Sequence, residues 1–312
     1  MGVVDTVAWL ARAAVYTAVV GAIGVLGMVY MYQNSLIYPA SFPAGSRDHV
    51  PTPDQFGMPD FEAVTLRTPD GVDITGYLIR RPRFGGAGGR DAAAGPLANV
   101  TLLYLHANAG NMGHRLPIAQ RFYHQLDCNV FMLSYRGYGL SQGSPNEVGL
   151  KIDAQTALDY ILAHEQLKNT RVLVFGQSIG GAVAIHLASK NSERIAGLMI
   201  ENTFLSLRKL IPQVIKLFRP FTFLCHQIWD SEKHIASVTN IPVLFLSSKK
   251  DELIPQTHMI KLHAALRKAR ADAGGPADNI DFVEFPLGQH NDTCLQPGYF
   301  DAAERFWRKY LN

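Results

Sequence analysis

Cysteine is scarce. Cys128, Cys225 and Cys294 are the only three in 312 residues, and no CxxC pair or Cys/His metal spacing occurs among them. So sparse and odd a set argues against a disulfide-built scaffold. His106 and His114 stand eight positions apart without a third ligand at usable spacing, so no metal site is expected. The chain has no glycine-rich dinucleotide fingerprint and no Walker sequence, and no cofactor is expected. Charge is thin as well. Charged side chains make up 18% of the residues, the net charge is +3, and no basic block or basic–aromatic array is present. Nucleic acid is therefore not an expected partner. Internal repeats are lacking too.

What the chain does have is apolar mass. A hydrophobic fraction of 47% suits a globular protein with a large core. The length fits one large domain with an N-terminal appendage. From Ala13 to Tyr32, 20 consecutive positions carry no charge, amide or histidine. As a helix these would rise about 30 Å, the thickness of a bilayer's hydrocarbon core. Trp9 lies near one end and Tyr30 and Tyr32 near the other, where interfacial aromatics belong. The stretch exceeds the apolar core of a signal peptide and lacks a cleavage-like site, so residues 1–32 read as an uncleaved single-pass anchor. Arg12 on one side and the more distant Arg47 on the other favour a cytoplasmic N-terminus. The membrane is then an endomembrane or the plasma membrane. Two glycosylation sequons occur, at Asn99 and Asn291.

Residues 33–61, rich in Pro, Ser and Gly, read as an extended connector, and residues 62–312 as one catalytic domain. Phe61–Thr68 and Val72–Ile79 flank the turn Pro69-Asp70-Gly71 and predict a hairpin. Phe84–Pro96 is a Gly/Ala-rich loop, and Ala269–Asn279 a second, polar one. Six apolar runs follow the hairpin: Val100–Leu105, Val130–Ser134, Val172–Phe175, Ile195–Ile200, Val243–Leu246 and Ile280–Phe285. Runs of this kind suit parallel strands buried on both faces. Helical candidates lie between them at Glu147–Gln166, Gly180–Ser189, Gln256–Arg270 and Tyr299–Tyr310. The alternation predicts an α/β protein with a mostly parallel sheet, helices on both faces and an antiparallel edge.

Gly176-Gln177-Ser178-Ile179-Gly180 matches G-x-S-x-G between an apolar strand and a small-residue helix. That context predicts the strained turn that lifts a serine hydroxyl above the sheet in the α/β-hydrolase fold. A serine needs a base to take its proton, and in this fold the acid and the histidine follow it in that order. Asp251 follows the run Val243–Leu246, with Glu252 and Asp230 as alternatives. His290, of 11 histidines, is the one beyond the last strand. Ser178, Asp251 and His290 are thus the expected catalytic set. The oxyanion donors are expected at the backbone N–H of Ile179 and, in the loop His106-Ala107-Asn108-Ala109-Gly110-Asn111, at the amide of Asn108.

These motifs, with Tyr135-Arg136-Gly137-Tyr138-Gly139 and Gln227-Ile228-Trp229-Asp230-Ser231, resemble the bud-emergence-46-like α/β hydrolases, which include the α/β-hydrolase-domain-thirteen-like serine hydrolases. The resemblance runs from about Gln33 to the C-terminus. It implies a signal-anchor helix and serine hydrolase activity, by analogy on lipid esters or acyl-protein thioesters. The family commonly has Gly where this chain has Ala107. A short cap is expected at about 204–236. Its part from Phe204 to Trp229 holds no acidic residue and carries Arg208, Lys209, Lys216 and Arg219 among apolar side chains, which fits contact with acyl chains or a membrane surface. The competing readings are a catalytically silent scaffold that keeps the fold, and a serine peptidase.

Overall fold

The apolar runs lie side by side in one sheet. The computed structural model describes residues 2–82, 97–276 and 278–311. Its strands are β1 (Phe61–Arg67), β2 (Asp73–Ile79), β3 (Val100–Leu105), β4 (Asn129–Ser134), β5 (Arg171–Gln177), β6 (Gly197–Glu201), β7 (Val243–Ser248) and β8 (Ile280–Phe285). They are ordered β1-β2-β4-β3-β5-β6-β7-β8. The hairpin β1–β2 joins β4 antiparallel, and every pairing from β4 to β8 is parallel. The Gly/Ala-rich loop expected at Phe84–Pro96 lies outside the described residues.

The eight α-helices among the described residues are α1 (Val3–Ile37), α2 (Leu116–Gln125), α3 (Glu147–Ala163), α4 (Ile179–Asn191), α5 (Leu207–Val214), α6 (Ser231–Ile235), α7 (Thr257–Asp272) and α8 (Tyr299–Tyr310). Strand side chains alternate between two cores. Leu103, Phe131, Val174, Ile200 and Phe245 face the core shared with α3, α4 and α7. Leu102, Met132, Phe175, Met199 and Leu244 face the one shared with α2 and α8. This is the α/β-hydrolase architecture, and it brings the carboxyl ends of β3, β5, β6, β7 and β8 to one rim.

Two elements depart from the sequence expectation. The second polar loop begins later than Ala269, because α7 runs on to Asp272 before the left-handed Gly274. Ala, Arg and Asp there carry no helix-breaking feature, so composition alone does not end the helix. The connector is not extended at its start. Helix α1 continues through Gln33 to Ile37, and Tyr38 caps it through its N–H to the Asn34 carbonyl. Pro39 ends the helix by disfavouring helical geometry at the residue before it. The cap between β6 and β7 holds the short helices α5 and α6 with a 3-10 stretch, Lys216–Leu224, between them.

Helix α1 is a candidate membrane span. Its most apolar window has a mean hydropathy of 1.9, and none of that window is buried in the fold. A core helix would be covered on at least one face.

Candidate active site

Ser178 sits between β5 and α4 with φ 56° and ψ −119°. A serine is strained in that region, and neighbouring backbone must hold it there. Its N–H donates to the Glu201 carbonyl at 2.9 Å, and its own carbonyl accepts from Thr203 Oγ1 at 2.7 Å. The glycines around it make room for crossing backbone. A Cβ on Gly176 would stand 2.1 Å from the Gly180 carbonyl oxygen, and one on Gly180 would stand 2.2 Å from that of Leu105. The turn is therefore seated directly against the end of β3.

Two loops at the same rim complete a relay. The Ser178 hydroxyl is 3.1 Å from His290 Nε2, and His290 Nδ1 is 2.7 Å from Asp251 Oδ2. Asp251 Oδ1 accepts the N–H groups of Leu253 at 2.9 Å and Ile254 at 2.7 Å, which fixes the carboxylate in its loop. With the ring proton on Nδ1 toward Asp251, Nε2 is free to accept from the serine hydroxyl. Ser178 is 7% exposed and His290 4%, so bulk water is largely kept from the relay. The alternatives to Asp251 lie elsewhere. Glu252 accepts the backbone N–H of His290 at 3.1 Å instead of touching its ring. Asp230 caps α6 through the Lys233 N–H at 3.4 Å.

The loop after β3 is held from below and from outside. The His106 ring is buried between Tyr135 and Tyr138, and burial lowers its pKa to about 3, so it is neutral. Tyr135 Oη donates to the His106 carbonyl at 3.3 Å and Tyr138 Oη to that of Asn108 at 2.8 Å. The Asn108 side chain donates to the Ile37 carbonyl, in the last turn of α1, at 3.3 Å. Among the described residues, neither the Asn108 nor the Ile179 backbone N–H donates to a protein acceptor.

Sequence reasoning did not single out Glu201, Asn202, Thr203 or Tyr299. The first three directly follow or end β6, at the rim where ligands gather in open α/β sheets. Their position there was the available signal. Glu201 is buried, receives Tyr299 Oη at 2.5 Å and Gln177 Nε2 at 3.0 Å, and has its pKa raised by burial. Asn202, at φ 43°, ties the histidine loop to β7. Of the four basic cap residues, Arg208 donates to the Cys225 and Phe223 carbonyls and Lys209 pairs with Glu232. Lys216 and Arg219 are exposed and form no ion pair among the described residues.

Residues 100–221 match the sequence model of the α/β hydrolase fold. Protein bem46 of Schizosaccharomyces pombe is 46% identical over 282 residues, which cover 90% of this chain and 87% of that one. The membrane protein YNL320W of Saccharomyces cerevisiae is 40% identical, with 89% of each chain covered. Among solved structures, the Pyrococcus furiosus esterase Pf2001 superposes with a TM-score of 0.65 over 84% of this chain and 94% of its own, at 16% identity. That last likeness is one of fold.

Proposed function

This chain belongs to the α/β-hydrolase family in its Bem46 branch, and from that premise we propose a membrane-anchored serine hydrolase that cleaves carboxylic esters or thioesters through an acyl-enzyme. Lipids and acylated proteins are the substrate classes. The reading rests on one observation: Ser178, His290 and Asp251 stand in line at 3.1 Å and 2.7 Å.

Ser178 Oγ attacks the carbonyl carbon as His290 Nε2 takes its proton. The carbonyl π pair moves onto oxygen, which the N–H groups of Ile179 and Asn108 receive. Removing one such donor typically costs about 3–4 kcal/mol of transition-state stabilisation. The intermediate collapses, the bond to the alkoxide or thiolate breaks, and His290 returns the proton to that leaving group. Water repeats the sequence on the acyl-serine and releases the acid. Asp251 holds the imidazole tautomer and stabilises the imidazolium.

A fluorophosphonate probe tests this directly. Labelling of the full chain should vanish in Ser178→Ala. Asp251→Asn should lower the ester turnover by about 10,000-fold while leaving the fold intact. Folded wild-type protein that takes no label would point to a silent scaffold.

A further inference from the structure

An apolar slot of ≈ 240 Å³ lies between the last turns of α1 and the cap. Val29, Leu36 and Ile37 form one wall, and Ile211, Ile215 and Phe218 the other. The slot is open to solvent, and Leu36 and Ile215 in its walls are exposed. Apolar walls left facing water favour an apolar occupant.

Three further observations identify its chemistry. Val29 belongs to the uncharged stretch Ala13–Tyr32, so the slot opens at the level where the anchor leaves the hydrocarbon. The cap leaves Val214, Ile215, Leu217 and Phe223 exposed beside it, with Lys216 and Arg219 between them, the pattern of a surface that lies in a bilayer interface. Both walls are also tethered to residues beside the relay. On the anchor side, the Ile37 carbonyl is bonded by Asn108. On the cap side, the chain enters from Thr203, which bonds the carbonyl of Ser178. Ile37 is five residues past Tyr32, a helical rise of about 7.5 Å.

We infer that the slot between α1 and the cap is the acyl-chain subsite of the enzyme, which draws a long-chain ester from the bilayer with its carbonyl delivered to Ser178. The assignment deepens the serine hydrolase reading and rests on it. The ≈ 240 Å³ lies below the roughly 300–1,000 Å³ of sites for drug-sized ligands, so the slot would hold part of a long alkyl chain and leave the rest in the bilayer. The anchor is then part of the binding site as well as a tether.

The test uses the full chain in nanodiscs and a hexadecyl fluorophosphonate with a diazirine at its far end. Labelling forms the Ser178 Oγ–P bond as the P–F bond breaks, fluoride departs, and the serine proton passes to His290. Irradiation then marks where the chain lies. The marks should fall in the segments 29–37 and 211–225. Ile215→Trp and, as a second variant, Ile211→Trp should lower the ratio of hexadecyl to ethyl fluorophosphonate labelling rates by about tenfold, the effect of excluding a methylene or two. Ser178-labelled protein whose marks lie elsewhere, or ratios unchanged in both folded variants, would overturn the slot and leave the serine hydrolase reading standing. Folded protein that neither probe labels at Ser178 would remove both.

Discussion

Asn202 ties two segments together at once. Its side-chain carbonyl accepts the Ser248 N–H at 2.9 Å, and its amide donates to Thr293 Oγ1 at 2.8 Å and to the His290 carbonyl at 3.3 Å. Those contacts help to hold down the loop that brings the histidine to Ser178. Asn202→Ala should therefore lower kcat for an ester by about 100-fold, the cost of a misplacement near 1 Å, with KM little changed. It should also cost about 1–3 kcal/mol of stability, since buried partners lose their bonds. A stability loss without the kcat loss would make Asn202 structural only. Glu201 makes a different prediction. Burial raises its carboxyl pKa in the fold, so the native state keeps that proton to a higher pH than the unfolded chain does. Stability then falls as pH rises from the ordinary carboxylate range toward the raised folded value, because the native state binds more protons throughout that window. Thermal melts of Glu201→Gln across it should show a flatter dependence than the wild type. Equal slopes would mean that Glu201 does not titrate there.

At the scale of elements, the turn from β5 to α4 depends on what it must pass. A methyl on Gly180 would meet the carbonyl oxygens of Leu105 at 2.2 Å and His106 at 2.7 Å, and backbone cannot swing away as a side chain can. Gly180→Ala should cost about 1–3 kcal/mol or more and displace the loop that carries Asn108. Calorimetry together with the esterase rate would register both effects. This turn was legible in the sequence because strand, glycines and serine are adjacent. The strands were legible for the same reason: two-sided burial leaves an unbroken apolar run, as in Val100–Leu105. Helix α2 was not, because ten residues with Pro117 near the start give a short amphipathic signal behind a 3-10 turn. Helix α5 was hidden by Pro212 inside it. The anchor's hydropathy marked where the apolar stretch stops, whereas the helix itself runs to the proline. For Asn202 only its place after β6 could be read, since its side-chain partners lie 46 to 91 residues away and meet only in the folded sheet.

The whole molecule is an α/β-hydrolase domain whose rim is stitched to α1. Gln33, still on α1, donates to the Leu224 carbonyl at 3.2 Å and accepts the His226 N–H at 2.9 Å. One turn later, Tyr38 Oη donates to Gln227 Oε1 at 2.9 Å and accepts the Trp229 indole N–H at 2.8 Å. Gln227 Oε1 also receives the Glu147 N–H at the start of α3, at 2.6 Å. The end of α1, the cap exit and α3 thus meet through the Tyr38 hydroxyl and Gln227 Oε1. These bonds tie the rim that carries Ser178 to the end of α1, which a flexible tether would not do. Tyr38→Phe keeps the ring and removes only the junction. It strands the indole N–H in a buried site, so it should cost about 1–3 kcal/mol. In detergent-solubilised full chain that would appear as a fall of several degrees in the melting temperature. Trp229→Phe alone should cost a similar amount, and the double variant much less than the sum, because both changes break the same bond. Additive costs, or an unmoved melting temperature in Tyr38→Phe, would show the helix end to be independent of the domain. The proposed nearness of the rim to a bilayer would then be a matter of tether length alone.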